Sequence, residues 1–269
     1  MSQKLRHMEL FAGAGGGILG AKLAGLSTRC AVEIEPFRRE TIQRRIRDGY
    51  LPRMIVRRRV EGIEMEEWRG KIDVVAGGFP CQDISAAGRG RGIENGQKSG
   101  LWREFRRVVC ELRPFFVFVE NSPRLTVKGL GIVLGDLAAM GYDAEWQVLS
   151  AAECGAPHLR RRMWILAMER RPMADDLRGR LEKSFKASGL EKRVRAHADE
   201  RELSAAPFGW PCEPELGRVA DGVANRVDRI SAIGAGQVPR VYAVAFWGLL
   251  NRLMNESDEA LSSLGEKIR

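Results

Sequence analysis

The sequence predicts an α/β fold: a doubly wound, mostly parallel sheet flanked by helices, with a small basic insertion beside it. Three observations carry that prediction. Apolar runs, above all Phe115-Phe116-Val117-Phe118-Val119, have the uninterrupted character of strands buried on both faces of a parallel sheet. Stretches with apolar residues at helical spacing lie between them. A glycine-rich turn, Ala12-Gly13-Ala14-Gly15-Gly16-Gly17, joins the first strand pattern directly to the first helical one. In open sheets such a corner lets backbone approach a ligand closely and aims helix N-terminal amides at an anionic group.

Composition sets the outer bounds. A chain of 269 residues can bury a substantial core as one domain, or as one domain with a small appendage. Lys+Arg 44 against Asp+Glu 35 leaves a net charge of +9, which suits either an anionic partner or a merely soluble basic surface. Five cysteines without a C-x-x-C spacing, and only three histidines, argue against a disulfide framework or a zinc cluster, so no metal is expected. No apolar run approaches the length of a membrane span and no signal peptide is visible, so a cytoplasmic protein without membrane association is expected.

In chain order, His7 to Phe11 reads as the first strand and Ile18 to Ala24 as the helix after the glycine turn. Thr28-Arg29-Cys30-Ala31-Val32-Glu33 is a second strand pattern ending in an acid. Glu33 falls where folds that bind dinucleotides put the carboxylate for ribose hydroxyls, with Ile34 available to cover an adenine face; the alternative is an exposed charge at a strand end. Pro36 can open the next helix. From Arg38 to Arg59 the chain carries nine arginines, either a solvated face or contacts to phosphate.

Ile72-Asp73-Val74-Val75-Ala76 reads as a buried strand that runs into Gly77-Gly78-Phe79-Pro80-Cys81-Gln82-Asp83-Ile84-Ser85. Two glycines allow a tight turn and Pro80 stiffens the backbone before Cys81, which sets the thiol on a rigid loop at the carboxyl end of a strand, where open sheets bind ligands. Cys30 and Cys110, inside apolar segments, read as space-filling. The glycine-rich stretch 86–96, with Arg89 and Arg91, reads as a loop that either closes over a substrate and meets phosphates or is plain surface.

Leu101, Phe105, Val108, Val109 and Leu112 mark one helical face, ended by Pro114. The strand after it delivers Glu120-Asn121 to the same sheet edge as Cys81, as catalytic groups or as helix caps and loop ligands. A helix over 130–140 and a strand over 144–149 follow. Arg160-Arg161-Arg162 then enters the strand Met163 to Ala167. Alternation puts Arg160 and Arg162 on one side, and burying them demands a partner such as Glu120 or a bound anion. Residues 169–215 are mostly charged and small, and read as a small basic subdomain or a partly disordered insertion. A closing helix begins after Pro239, with a frayed tail expected from Asn251 onward.

Taken in order, Phe11-Ala-Gly-Ala-Gly-Gly, Pro80-Cys81-Gln82, Glu120-Asn121, Arg160-x-Arg162 and Gly234-x-Gly-Gln-Val-Pro239 resemble the motifs of the DNA (cytosine-5) methyltransferases of bacteria and phages. Each motif is weak alone; five in sequence across nearly the whole chain are specific. The resemblance implies a Rossmann-like catalytic domain that uses S-adenosyl-L-methionine. It implies that the Cys81 thiolate adds to carbon 6 of a flipped-out cytosine, that Glu120 holds or protonates ring nitrogen 3, and that Arg162 stabilises the adduct from its oxygen side. Arg160 would stand nearby and Asn121 would order the Glu120 loop. The cofactor would lie over Phe11, Gly13, Ala14, Gly15 and Gly16, with Glu33 on its ribose and Ile34, Pro80 and Leu101 completing its site. Gln82, Ser85, Arg89 and Arg91 would face the nucleic acid.

The same resemblance implies duplex DNA as substrate, a cognate restriction nuclease as a candidate partner, and a monomer. It divides the chain into a catalytic and cofactor-binding domain (1–168), a small target-recognition region (169–231), and a returning segment with the closing helix (232–269). Three positions depart from the family pattern: Ala235 stands where an Asn is usual, Ser122 where a Val follows Glu-Asn, and Arg57-Arg58-Arg59-Val60-Glu61 where an Asp ends the third strand. Ala235 makes a DNA-binding relic with poor turnover an alternative of a different class. Methylation of RNA by the same chemistry is a third reading.

Overall fold

The computed structural model describes residues 4–79, 100–190 and 226–267, with backbone alone at 226, 230 and 256–267. Seven strands form one sheet: β1 (Arg6–Leu10), β2 (Ser27–Val32), β3 (Ile55–Arg57), β4 (Val74–Gly77), β5 (Phe116–Asn121), β6 (Tyr142–Leu149) and β7 (Arg162–Glu169). Their order is β3-β2-β1-β4-β5-β7-β6. The first five strands run parallel, while β7 inserts antiparallel between β5 and β6. The chain winds outward in both directions from β1 and β4, so the predicted doubly wound, mostly parallel sheet is what forms. The crevice at that switch point opens at the carboxyl ends of the strands.

Every residue of β4 and β5 is buried, as their unbroken apolar character requires. Alternation then divides them between two cores. Val75, Val117, Val119 and Ile165 face one side of the sheet, while Val74, Ala76, Phe116, Phe118, Trp164 and Leu166 face the other.

Eight α-helices are described: α1 (Gly16–Leu23), α2 (Pro36–Arg47), α3 (Leu101–Leu112), α4 (Leu125–Lys128), α5 (Leu130–Ala139), α6 (Asp175–Ser188), α7 (Arg226–Ala235) and α8 (Pro239–Lys267). Trp102, Phe105, Val108, Val109 and Leu112 of α3 cover the first face, together with Leu130, Val133 and Leu137 of α5. On the second face α8 places Tyr242, Phe246, Trp247 and Leu250 against Phe116, Phe118 and Trp164. Burying each such aromatic side chain contributes about 2–3 kcal/mol. Helix α8 lies close on α1 because position 20 is glycine: a Cβ there would fall 2.6 Å from Tyr242 Cβ.

Two stretches differ from the sequence expectation. Helix α6 begins six residues beyond the expected start of the recognition region, yet it packs on the sheet. Leu177, Leu181 and Ser184 are buried, Ser184 Oγ accepts from Leu5 N at 2.9 Å, and Arg180 Nη2 pairs with Asp73 Oδ1 at 3.1 Å. Helix α8 continues far past Asn251 to Lys267, and Arg252 donates to Glu145 Oε2 and Gln147 Oε1, both at 3.1 Å. Residues 191–225, the bulk of the basic insertion, lie outside the described residues. Among the described residues no helix is long and apolar enough to cross a membrane, and no cluster of metal-ligating side chains occurs.

Candidate active site

The carboxyl ends of the parallel strands converge on a cleft of about 580 Å³. Directly after β1, Phe11 takes a left-handed backbone conformation, φ +55°, which is uncommon for a residue with a side chain and costs about 1–3 kcal/mol. Its ring stacks near Phe105, with centroids 6.5 Å apart, and forms part of the cleft wall. Gly13 and Gly15 follow at φ +57° and +93°, conformations that favour glycine, and Gly15 is the N-cap of α1.

The glycine turn is held from the end of β2. Glu33 Oε2 accepts from Gly13 N at 2.7 Å and Oε1 accepts from Glu35 N at 2.9 Å. Glu35 in turn caps α2, accepting from Phe37 N and Arg38 N. Burial pushes the Glu33 carboxyl up from its ordinary value, and the two backbone donors oppose that rise. Each oxygen has taken one donor. A carboxylate offers about four acceptor sites, so Glu33 keeps capacity for a diol in the cleft. Half-exposed Ile34 and the first residue of α3, Leu101, add apolar surface to the same cleft.

Across the cleft, the last residues of β5 supply Glu120 and Asn121. Glu120 is nearly buried, and Arg162 Nε meets its Oε1 at 2.8 Å. Burial pushes the Glu120 carboxyl up to about 7; Arg162 and Arg160 pull it down and buried Glu9 pushes it up. The result is a carboxyl that exchanges its proton near neutral pH. Asn121 reaches in the other direction: its Nδ2 donates to Phe79 O at 3.3 Å, and its Oδ1 accepts from Ser122 N at 2.7 Å.

Arg160 and Arg162 both line the cleft but hold different partners. Arg160 Nη2 donates to Gly234 O at 3.0 Å and to Gly236 O, gripping the returning segment on either side of Ala235. From the opposite side Arg38 Nη2 donates to Ser231 Oγ at 2.6 Å and to Ser231 O at 3.2 Å. Two guanidiniums therefore hold residues 231–236 against the cleft, and the Ala235 carbonyl comes within 3.4 Å of where a Gly13 Cβ would lie.

Of the residues the sequence singles out, the structure brings Phe11, Glu33, Ile34, Leu101, Glu120, Asn121, Arg160 and Arg162 to one cleft. Gly13, Ala14, Gly15 and Gly16 build the turn beside it. Pro80, Cys81, Gln82, Ser85, Arg89 and Arg91 lie outside the described residues. Phe79, Val60 and Ser231 also line the cleft without having been singled out. The end of β3 could have announced Val60, since ligands gather at carboxyl ends. Nothing local marks Ser231, whose partner Arg38 is 193 positions away.

A family model for C-5 cytosine-specific DNA methylases matches residues 5–202. The chain is 34% identical over 165 residues to a type II methyltransferase of Haemophilus parahaemolyticus, covering 59% of this chain and 44% of that protein. It is 33% identical over 175 residues to a type II methyltransferase of Escherichia coli, covering 63% and 40%. Among solved structures, a prophage-encoded DNA modification methyltransferase of Escherichia coli superposes with a TM-score of 0.51 at 26% identity, over 64% of this chain and 50% of that one. The matched region spans less than half the length of those curated relatives.

Proposed function

The chain belongs to the C-5 cytosine-specific DNA methylase family, and on that premise we propose that it transfers a methyl group to carbon 5 of cytosine in duplex DNA. The observation that carries this reading is the Glu120–Arg162 pair in the cleft, a carboxyl poised near neutrality beside a fixed cation.

Carbon 5 of cytosine is a weak nucleophile inside an aromatic ring. Addition of the Cys81 thiolate to carbon 6 forms a carbon–sulfur bond and breaks that aromaticity, moving electron density toward ring nitrogen 3. Protonated Glu120 donates to nitrogen 3 as charge builds there, which leaves an enamine whose carbon 5 is nucleophilic. Arg162, held by Glu120 Oε1, keeps a positive charge beside the adduct. Bound in the cleft, S-adenosyl-L-methionine would supply the electrophilic methyl. Loss of the carbon 5 proton to a base then expels the Cys81 thiolate, returns the nitrogen 3 proton to Glu120 and restores the ring.

Phe11, Glu33, Ile34 and Leu101 are the residues that would hold the cofactor, since they offer a buried carboxylate for ribose hydroxyls and apolar surface for a base. Asn121 would fix the backbone at Phe79, just ahead of the nucleophile. The target base must leave the duplex to reach this cleft, and the basic insertion would hold the DNA beside it. A companion restriction nuclease and a monomeric enzyme complete the proposal.

The test is transfer of labelled methyl from S-adenosyl-L-methionine to mixed-sequence duplex DNA, comparing the native chain with Cys81→Ser. Label on cytosine carbon 5 that disappears with the substitution supports the mechanism, and mapping it gives the recognition sequence. Label on folded RNA alone, or on neither acceptor with cofactor in excess, rejects it.

A further inference from the structure

Glu9 is the fourth of the five residues of β1 and is wholly enclosed. An acid at such a place needs partners, and Glu9 has them on two sides. Toward the second core, His7 Nε2 stands 2.9 Å from Glu9 Oε2. His7 is itself fixed by Thr28 Oγ1 at 3.0 Å from Nδ1 and by the α8 hydroxyl of Tyr242 at 3.2 Å from Nε2. Toward the cleft, the Gln237 side chain satisfies its surroundings in one orientation. Its amide nitrogen donates to Glu9 Oε1 at 3.3 Å, and its carbonyl accepts from Gly78 N at 3.3 Å.

The chain is cleared of side chains along this path. A Cβ on Gly17 would overlap both Glu9 Oε1 and the Gln237 amide, and one on Gly16 would overlap the Gln237 backbone carbonyl. A Cβ on Gly78 would lie 2.5 Å from Glu120 Oε2 and 3.2 Å from the Gln237 amide. Gly17 and Gly78 thus leave room for the side-chain amide to pass between β1 and the turn after β4, and Gly16 leaves room for the Gln237 backbone. The residue before it, Gly236, is the one gripped by Arg160, and the residue after Gly78, Phe79, is the one gripped by Asn121.

We infer that Gln237 is a positioning residue, joining buried Glu9 to the Gly78 amide so that the returning segment at the cleft and the backbone leading to Cys81 are set as one unit. The inference rests on the methyl-transfer reading above. The Gln237 side chain acts on Glu9 and on the Gly78 amide. It fixes where the chain departs from β4, and displacement of a reacting group by about 1 Å is enough to cost on the order of 100-fold in rate.

The donor and acceptor roles can be exchanged. In Glu9→Gln the carbonyl at position 9 can still accept from the Gln237 amide nitrogen, whereas in Gln237→Glu two carboxyl groups face each other beside Glu120. In the double variant Glu9→Gln/Gln237→Glu the amide at position 9 donates to the carboxylate at 237, which still accepts from Gly78 N. The experiment measures single-turnover methyl transfer to duplex DNA at saturating cofactor, together with equilibrium binding of S-adenosylhomocysteine. Gln237→Glu is expected to slow transfer by about tenfold or more while the cofactor dissociation constant changes by less than about threefold, Glu9→Gln to slow it less, and the double variant to recover most of the rate lost in Gln237→Glu. Gln237→Met, of similar length but without either hydrogen bond, is expected to slow transfer likewise and decides the matter if Gln237→Glu does not fold. A wild-type rate in Gln237→Met, or a double variant no faster than the slower single one, overturns the inference. A native chain that transfers no methyl overturns the enzymatic reading instead.

Discussion

Glu120 and Arg162 meet at 2.8 Å from neighbouring antiparallel strands, β5 and β7, although 42 positions separate them in sequence. The pair is asymmetric: Glu120 is nearly buried while the Arg162 side chain keeps about a quarter of its surface in solvent. Burial therefore outweighs the guanidinium, and the carboxyl ends above its ordinary 4.5, at about 7.

That imbalance fixes a pH dependence. The protonated form needed at ring nitrogen 3 is lost as pH rises through about 7, so single-turnover methyl transfer should decline above that pH. Arg162, Arg160 and Glu9 are the charged groups acting on Glu120, and Arg162 is the strongest influence pulling it down. Arg162→Ala should lower the rate yet move the alkaline limb to higher pH. Glu120→Gln should lower the rate by about 100-fold or more and abolish that limb. Because the folded value is raised, the native state binds more protons than the unfolded chain between about 4.5 and 7, so this group's contribution to stability falls as pH rises through that window. Urea unfolding of Glu120→Gln across the same range should lose that slope.

Glu33 ties the glycine turn to β2 through two backbone amides. In Glu33→Ala those amides lose their acceptor and the cleft loses its carboxylate, so S-adenosylhomocysteine should bind about tenfold or more weakly by calorimetry. Cofactor binding unchanged by the substitution would place the ribose elsewhere.

Gly20 and Gly131 separate a packing glycine from a dispensable one. Gly20→Ala puts a methyl group into Tyr242 and should destabilise by about 1–3 kcal/mol, read as a lower denaturant midpoint. Gly131, in α5, has nothing within 4 Å of where a Cβ would lie and no left-handed backbone, so Gly131→Ala should stabilise by about 0.5–1 kcal/mol.

Asp73, almost wholly buried just ahead of β4, accepts from Arg6 at the start of β1 and from Arg180 of α6. Asp73→Ala removes charge-assisted bonds to both and should cost about 2 kcal/mol or more. Hydrogen exchange in 175–188 should accelerate relative to the rest of the chain, since α6 loses its tie to the sheet. Uniform acceleration would mean that α6 is held chiefly by Leu177 and Leu181.

The sequence by itself determined the parallel sheet and the side of it on which chemistry gathers. Unbroken apolar runs can be satisfied only by burial on both faces, a glycine turn after β1 admits little but a ligand-facing corner, and acids at strand ends such as Glu33 and Glu120 are carried to the carboxyl edge by the strands themselves. Tertiary structure decided the partners. Whether Arg160 would meet Glu120, an anion or, as found, the carbonyls of Gly234 and Gly236 depends on where the returning segment lies. The buried cluster of Glu9, His7, Tyr242 and Gln237 joins two distant segments, and nothing in Arg6-His7-Met8-Glu9-Leu10 announces its partners. Helix α6 was hidden for a related reason: Leu177, Leu181 and Ser184 form a stripe so narrow among charged residues that only the surface it meets gives it meaning. Periodicity reports what a segment needs to bury. Which segment meets that need is settled by chain closure over long separations, where no local pattern reaches.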